Sequence, residues 1–127
     1  MERRTISGHS PFEAVVGYSR AVVAGPHVFV SGTAPIAAGG GDPPPDAYEQ
    51  ARLCLHLVLE ALAEAGASAA DVVRTRMFLT DAADMAAIGR AHLEVFGEVR
   101  PASTAVVVEA LLDPRWRVEI EADALIA

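Results

Sequence analysis

The sequence predicts an α+β domain whose mixed sheet carries two helices on one face. Three observations carry this expectation. Two stretches have apolar residues at helical spacing, β-type segments bound each of them, and the last segment alternates strictly with period two. "YSRAVVA" and "HVFVSG" flank the turn "AGPH" and read as a hairpin. The patch "AAGGGDPPPDAY" is full of residues that break both strand and helix, so it reads as a loop. It runs into a helix start, with Asp46 as cap and Glu49 three residues on, as in a capping box. Ala51, Cys54, Leu55, Val58, Leu59 and Leu62 then define one apolar face, and Gly66 ends the helix. "DVVRTRMFLT" is expected as the next strand. Asp81 and Asp84 announce a second helix, with Met85, Ile88, His92, Val95 and Phe96 as its inner stripe and Gly97 as its stop. "STAVVVEAL" and "RWRVEIEADALI", parted by the turn-forming Asp113-Pro114, complete the order β-β-α-β-α-β-β.

The last strand fixes which face is which. Trp116, Val118, Ile120, Ala122 and Ala124 alternate with Arg115, Arg117, Glu119, Glu121 and Asp123, so the apolar row suits the helices and the charged row faces away. The valine run after Ser103 and Thr104 reads as a core strand, and it leaves valines on both faces in either register. A sheet with helices on one side and apolar patches on the other is expected to bury its second side against a partner, so an oligomer is expected.

Composition narrows the class. At 127 residues and 52% hydrophobic, the chain fits one compact domain, residues 1–127, with a core that needs no staples. No apolar run approaches the roughly 20 residues that cross a bilayer, and no signal-peptide core follows the charged start "MERRTISGHS". The single Cys54 leaves no internal disulfide and suits a reducing, cytoplasmic setting. A formal charge of −7 argues against a polyanionic partner, and 6% aromatics leave little to stack on bases, so neither nucleic acid nor membrane is an expected partner.

Few residues point to chemistry by pattern alone. His9, His27, His56 and His92 lack metal-ligand spacing, and one cysteine builds no structural zinc site, so no metal is expected. Cys54 falls on the inner face of a helix and reads as a small buried hydrophobe. "GGGD" lacks the preceding strand and following Gly-Lys-Ser/Thr of a phosphate cradle. Glu119 and Glu121 sit two apart on one strand face. They read equally as a solvated charged stripe paired with Arg115 or Arg117, or as a stripe in which one carboxylate serves as general base.

Several segments, taken in order, resemble the RidA (YjgF-type) family of reactive-intermediate deaminases. They are "GYSRAV", "VFVSGTAP", "DAYEQARLCLHLVLEALAEAGAS", "DVVRTRMFLTD", "RPAST" and "VEIEADA", which together span nearly the whole chain. The resemblance implies a chorismate-mutase-like fold and a homotrimer with small-molecule clefts between subunits. It also implies hydrolysis of imines and enamines, such as 2-aminoacrylate, to a keto compound and ammonia without a cofactor. Tyr18, Gly32 and Glu119 match positions lining the family's cleft, with the glutamate placing or activating water. The family's carboxylate-binding arginine directly follows the Pro-Ala pair, and here that position is Ser103. Gly89 likewise stands where many active members carry an asparagine.

These residues set the functional expectation: an imine/enamine hydrolase whose substrate lacks the usual α-carboxylate. Glu119 is expected to be catalytic, and Tyr18, Gly32, Ala102, Ser103 and Thr104 to bind substrate. Arg100, Arg76, Arg20 and Arg117 are the candidates for a replacement cation. A non-catalytic metabolite-binding member of the same fold is the alternative. A ribonuclease or translation inhibitor fits least, given the acidic charge.

Overall fold

The computed structural model describes residues 1–127. Its elements are β1 (Arg3–Ile6), β2 (Ala21–Ala24), β3 (His27–Thr33), α1 (Ala47–Glu64), β4 (Val72–Leu79), α2 (Met85–Phe96), β5 (Ala102–Val107) and β6 (Val118–Leu125). The six strands form one sheet in the order β1-β2-β3-β6-β4-β5, in which only β4 and β5 run parallel. The mixed sheet with two helices is as expected. The strand β1 at one edge was not, so the order gains a strand at its start.

Both helices pack on one face of the sheet. The buried side of α1 (Ala51, Cys54, Leu55, Val58, Leu62) meets Val118, Ile120 and Ala122 of β6, and Ile88 and Phe96 of α2 join the same cluster. The Asp46 carboxylate accepts the Glu49 amide at 2.7 Å, a cap that contributes about 1 kcal/mol. After Ala65, Gly66 turns the chain with φ +86°, where a side chain would be strained. The end of α2 differs from expectation. Gly97 keeps right-handed geometry, φ −57°, and the left-handed turn falls three residues later at Arg100, φ +54°, whose amide donates to Phe96 O at 2.8 Å.

The strand β5 overturns the core-strand reading of the valine run. It is an edge strand, exposed at every position. Its register settles the faces: Val106 pairs with Phe78 on the side away from the helices, and Val107 pairs with buried Leu79 on the helix side. Val106 and Phe29 remain 42% and 47% exposed on the outer face.

Candidate functional site

The strand β6 delivers Glu119 to the outer face, between buried Val118 and Ile120. Its carboxylate lies over a break in the neighbouring strand. The β3–β6 register shifts between Val30 and Thr33, and Gly32 sits inside that bulge. A Cβ on Gly32 would overlap Glu119 Oε2, so only glycine admits this approach. Arg20, just ahead of β2, clamps the bulge. Its Nη2 donates to Ser31 O at 2.6 Å, Gly32 O at 2.9 Å and Thr33 Oγ1 at 2.7 Å. Ser31 Oγ closes the loop by donating to Ser19 O at 2.7 Å.

This setting pushes the Glu119 carboxyl above the usual carboxylate range. Burial is the main cause, Glu121 adds to it, and the Arg20 guanidinium opposes it. Arg20 is itself shifted down by burial, and its Nε is buried with no acceptor. Glu121 behaves differently: Arg76 Nη1 meets its Oε1 at 3.0 Å and Asp123 Oδ2 at 3.4 Å. Of the two carboxylates on this row, Glu121 belongs to a charged stripe and Glu119 stands apart from it. Tyr18 lies two residues before Arg20, its hydroxyl donating to Ser10 Oγ at 3.3 Å.

The residues after the Pro-Ala pair form a second group. Ser103 pairs with Thr75 across the parallel β4–β5 ladder, and Thr75 Oγ1 donates to Ser103 Oγ at 2.8 Å. Thr75 Oγ1 also lies 2.8 Å from His92 Nε2 of α2, so Ser103, fully buried Thr75 and His92 form one hydrogen-bonded chain. Burial lowers the His92 pKa, which keeps the imidazole neutral at pH 7. Thr104 pairs with Arg76 on the opposite face, and Ala102 and Thr104 are exposed.

Ser103 and Glu119 therefore occupy opposite faces of the same sheet. Ser103 shares the helix side with Thr75, while Glu119 pairs with Phe78 on the outer side. The fold joins Gly32, Glu119 and Arg20 in one group, and Ser103 with Thr75 and His92 in another. A single small ligand cannot touch both within one chain. Two of the replacement cations are committed elsewhere, Arg76 to Glu121 and Asp123, and Arg117 to Asp84 at 3.0 Å. No group of three or more His, Cys, Asp or Glu side chains is placed to hold a metal ion.

The model of the family described as Endoribonuclease L-PSP matches residues 8–126, nearly the whole chain. The chain belongs to the YjgF/RidA family. Its relatives include the uncharacterised protein SCO2049 of Streptomyces coelicolor, 42% identical over 126 residues, covering 96% of this chain and 90% of that one. The crystal structure of Rv2704 from Mycobacterium tuberculosis is 44% identical, covers 98% of this chain and all of that one, and superposes with a TM-score of 0.90. Escherichia coli TdcF, whose name places it among reactive intermediate deaminases, is 35% identical over 88% of both chains. The structure of TdcF with bound serine covers 98% of this chain and 94% of that one, at 31% identity and a TM-score of 0.83.

Family membership adds weight to one geometric prediction. Gly32→Ala must push the Glu119 carboxylate aside, because the new methyl takes its place. A displacement of about 1 Å at a reacting group costs on the order of 10- to 100-fold in rate, so any reaction that uses the Glu119 carboxylate should slow by that factor with the fold intact. A steady-state assay beside a circular dichroism spectrum checks it.

Proposed function

We propose that this YjgF/RidA protein is a small-molecule imine/enamine hydrolase acting in clefts shared between identical subunits. The observation that carries the reading is Glu119, a half-buried carboxylate with raised pKa, seated over a glycine that the structure keeps bare. In this reading Glu119 holds a water and takes its proton as the oxygen bonds to the carbon of C=N, while the nitrogen is protonated. The resulting carbinolamine collapses, its hydroxyl proton leaves, C=O forms and ammonia departs. An enamine enters the same route after protonation on carbon. Because Glu119 must be ionised to accept the proton, activity should drop as pH falls through its raised pKa. A pH–rate profile whose acid limb disappears in Glu119→Gln checks this.

The same geometry supports clefts shared between copies, in the homotrimer that this reading adopts. Opposite-face placement of Ser103 and Glu119 allows one cleft to use both only when two copies contribute. Exposed Phe29 and Val106 on the outer face, and Phe12, Val15 and Val16 in the N-terminal segment, supply apolar surface for self-association. In this cleft Tyr18 and Gly32 shape the pocket beside Glu119, and Ala102, Ser103 and Thr104 bind the polar end of the substrate. Ser103 stands in place of the arginine that grips an α-carboxylate, so the substrate lacks a carboxylate on the imine carbon. TdcF with bound serine shows that a related fold accepts a small amino compound. The reading needs no cofactor, treats residues 1–127 as one domain, and places the protein in the cytoplasm. No helix is long and apolar enough to cross a membrane. A nuclease role fits poorly with a charge of −7 and with Arg76, Arg115 and Arg117 held in ion pairs.

The test is ammonia release from freshly generated 2-aminoacrylate and from imines without a carboxylate on the C=N carbon, using wild type, Ser103→Arg and Glu119→Ala. Wild type should prefer the second class, Ser103→Arg should gain on 2-aminoacrylate, and Glu119→Ala should be silent on both. Silence of all three proteins on every substrate, with small ligands still bound, would leave a binding protein instead.

A further inference from the structure

Arg20 is a costly residue for the place it occupies. Its Nη2 donates to Ser31 O, Gly32 O and Thr33 Oγ1, and all three acceptors are neutral. Such bonds call for a donor, and none of them calls for a charge. Glu13 packs beside the side chain but gives both oxygens to the Gly8 amide, at 3.1 and 3.0 Å. The Nε of Arg20 is buried without an acceptor, and burial works against the charged form. The side chain is nevertheless held at both ends. A Cβ on Gly8 would meet Glu13 Oε2 at 2.7 Å, Arg20 Cδ at 3.1 Å and Arg20 Cβ at 3.2 Å, so the N-terminal segment closes on the stem. The bulge of β3 closes on the head. A cation held this firmly, where a neutral donor would satisfy every bond, points to a use for its charge.

That use lies across one glycine. Gly32 meets Arg20 through its carbonyl and Glu119 through its bare α-carbon. The groups around Glu119 leave Arg20 as the cation that acts on it. Arg20 favours the ionised carboxylate, and Glu121, two residues along β6, disfavours it. Glu121 and Asp123 are held by Arg76 of β4, and Phe78, which pairs with Glu119 on the same strand, is apolar. On the helix side, burial pushes the Cys54 thiol of α1 up and keeps it neutral. Glu13 and Tyr18 of the N-terminal segment support the charge of Arg20 itself.

We infer that Arg20 is a positioning residue for Glu119: it fixes the bulge under the carboxylate and supplies the positive charge against which that carboxylate ionises. The effect on ionisation stands on the geometry alone; its use in a reaction rests on the hydrolase reading. Under that reading Arg20 serves the general base rather than the substrate.

Carbon-13 titration of the Glu119 carboxyl, assigned by its absence in Glu119→Gln, tests this in the intact protein without substrate. In Arg20→Gln the Glu119 midpoint should rise by about one pH unit, because a nearby opposite charge moves a carboxyl by roughly that much or more. Arg20→Met, which keeps the stem packed on Gly8, gives the same reading if Arg20→Gln does not fold. Arg20→Lys keeps the charge without the fork and should titrate within about 0.3 units of wild type. In ammonia release the acid limb should follow the carboxyl in each variant, with KM changed by no more than about 2-fold. A merely structural brace would lower Tm in all three variants and leave the midpoint where it is. The proposal is overturned if the midpoint does not rise in a folded neutral variant, if it rises as far in Arg20→Lys, or if KM rises at every pH while the acid limb stays put. A wild type that releases no ammonia from any imine, with the midpoint still rising in Arg20→Gln, would sink the hydrolase reading and leave the effect on Glu119 standing. An active wild type, with midpoint and acid limb both unmoved in Arg20→Gln, would do the reverse.

Discussion

Glu119→Gln is expected to cut ammonia release about 100-fold or more while making the protein more stable at neutral pH. A positioned general base contributes roughly 10²–10⁴ in rate, and glutamine keeps the shape of the side chain without its basicity. The stability change follows from linkage. The folded-state pKa of Glu119 is raised, chiefly by burial. The native state therefore favours the protonated carboxyl. That preference stabilises the fold fully below the unfolded value, about pH 4.3, and is lost as pH rises through the raised folded value. At pH 7 the buried charge is a net cost that glutamine removes, and at pH 4 the difference closes. Thermal melts at the two pH values, set beside the rate assay, check both halves. A Tm that falls at pH 7 would mean the carboxylate is held by favourable contacts absent from this structure.

Gln50→Leu is expected to cost about 3 kcal/mol or more, lowering Tm by roughly 10 °C. Gln50 is 1% exposed and uses its whole amide. Its Nε2 donates to Pro44 O at 2.9 Å and Arg115 O at 3.0 Å, and its Oε1 accepts the Arg117 amide at 2.7 Å. Leucine fills the space but orphans two carbonyls and one N–H at part-buried positions, each costing about 1 kcal/mol or more. The lock matters for the site because Arg117 lies two residues before Glu119. Loss of the clamp frees the start of β6 as well as the Pro-rich loop. Urea denaturation should show a lower midpoint at unchanged slope, and Gln50→Glu should lose nearly as much, since a carboxylate cannot donate to the two carbonyls.

The elements that the residues announced locally are the ones the structure contains. Asp46 and Gly66 bound α1 because caps and helix stops act over a few residues, whereas the Glu49 side chain meets Arg52 instead of closing a capping box. The alternation of β6 survives intact because its two faces meet different surroundings. Two of the failures are questions of long-range context. Only Ile6 of β1 is buried, so four edge residues carry no pattern to read. Apolar character alone cannot separate a core strand from an edge strand awaiting a partner, which is why β5 reads as core. The turn at Arg100 is hidden because a left-handed arginine has no sequence signature.

The candidate site divides along the same line. Period-two alternation places Glu119 and Glu121 on one face but cannot say which one Arg76 holds. Gly32 and Glu119 follow from the family resemblance, whereas the Arg20 clamp exists only because the bulge brings Ser31 and Gly32 back over it. His92 reads as part of a helix stripe and Thr75 as one residue of a strand, and the bonds of Thr75 to His92 and to Ser103 span 17 and 28 residues of chain. The placement of Ser103 and Glu119 on opposite faces needs the strand order itself.

That placement is the core of the account, and subunit complementation tests it directly. Glu119→Gln damages one group, and Ser103→Asp, by adding a negative charge, damages the other. Each pure variant should be nearly silent. Co-refolded in equal amounts, they should regain about one quarter of wild-type ammonia release, since random assembly gives that share of clefts two sound halves from neighbouring subunits. A mixture as silent as its parents, with mixed oligomers confirmed by native mass spectrometry, would contradict the shared cleft.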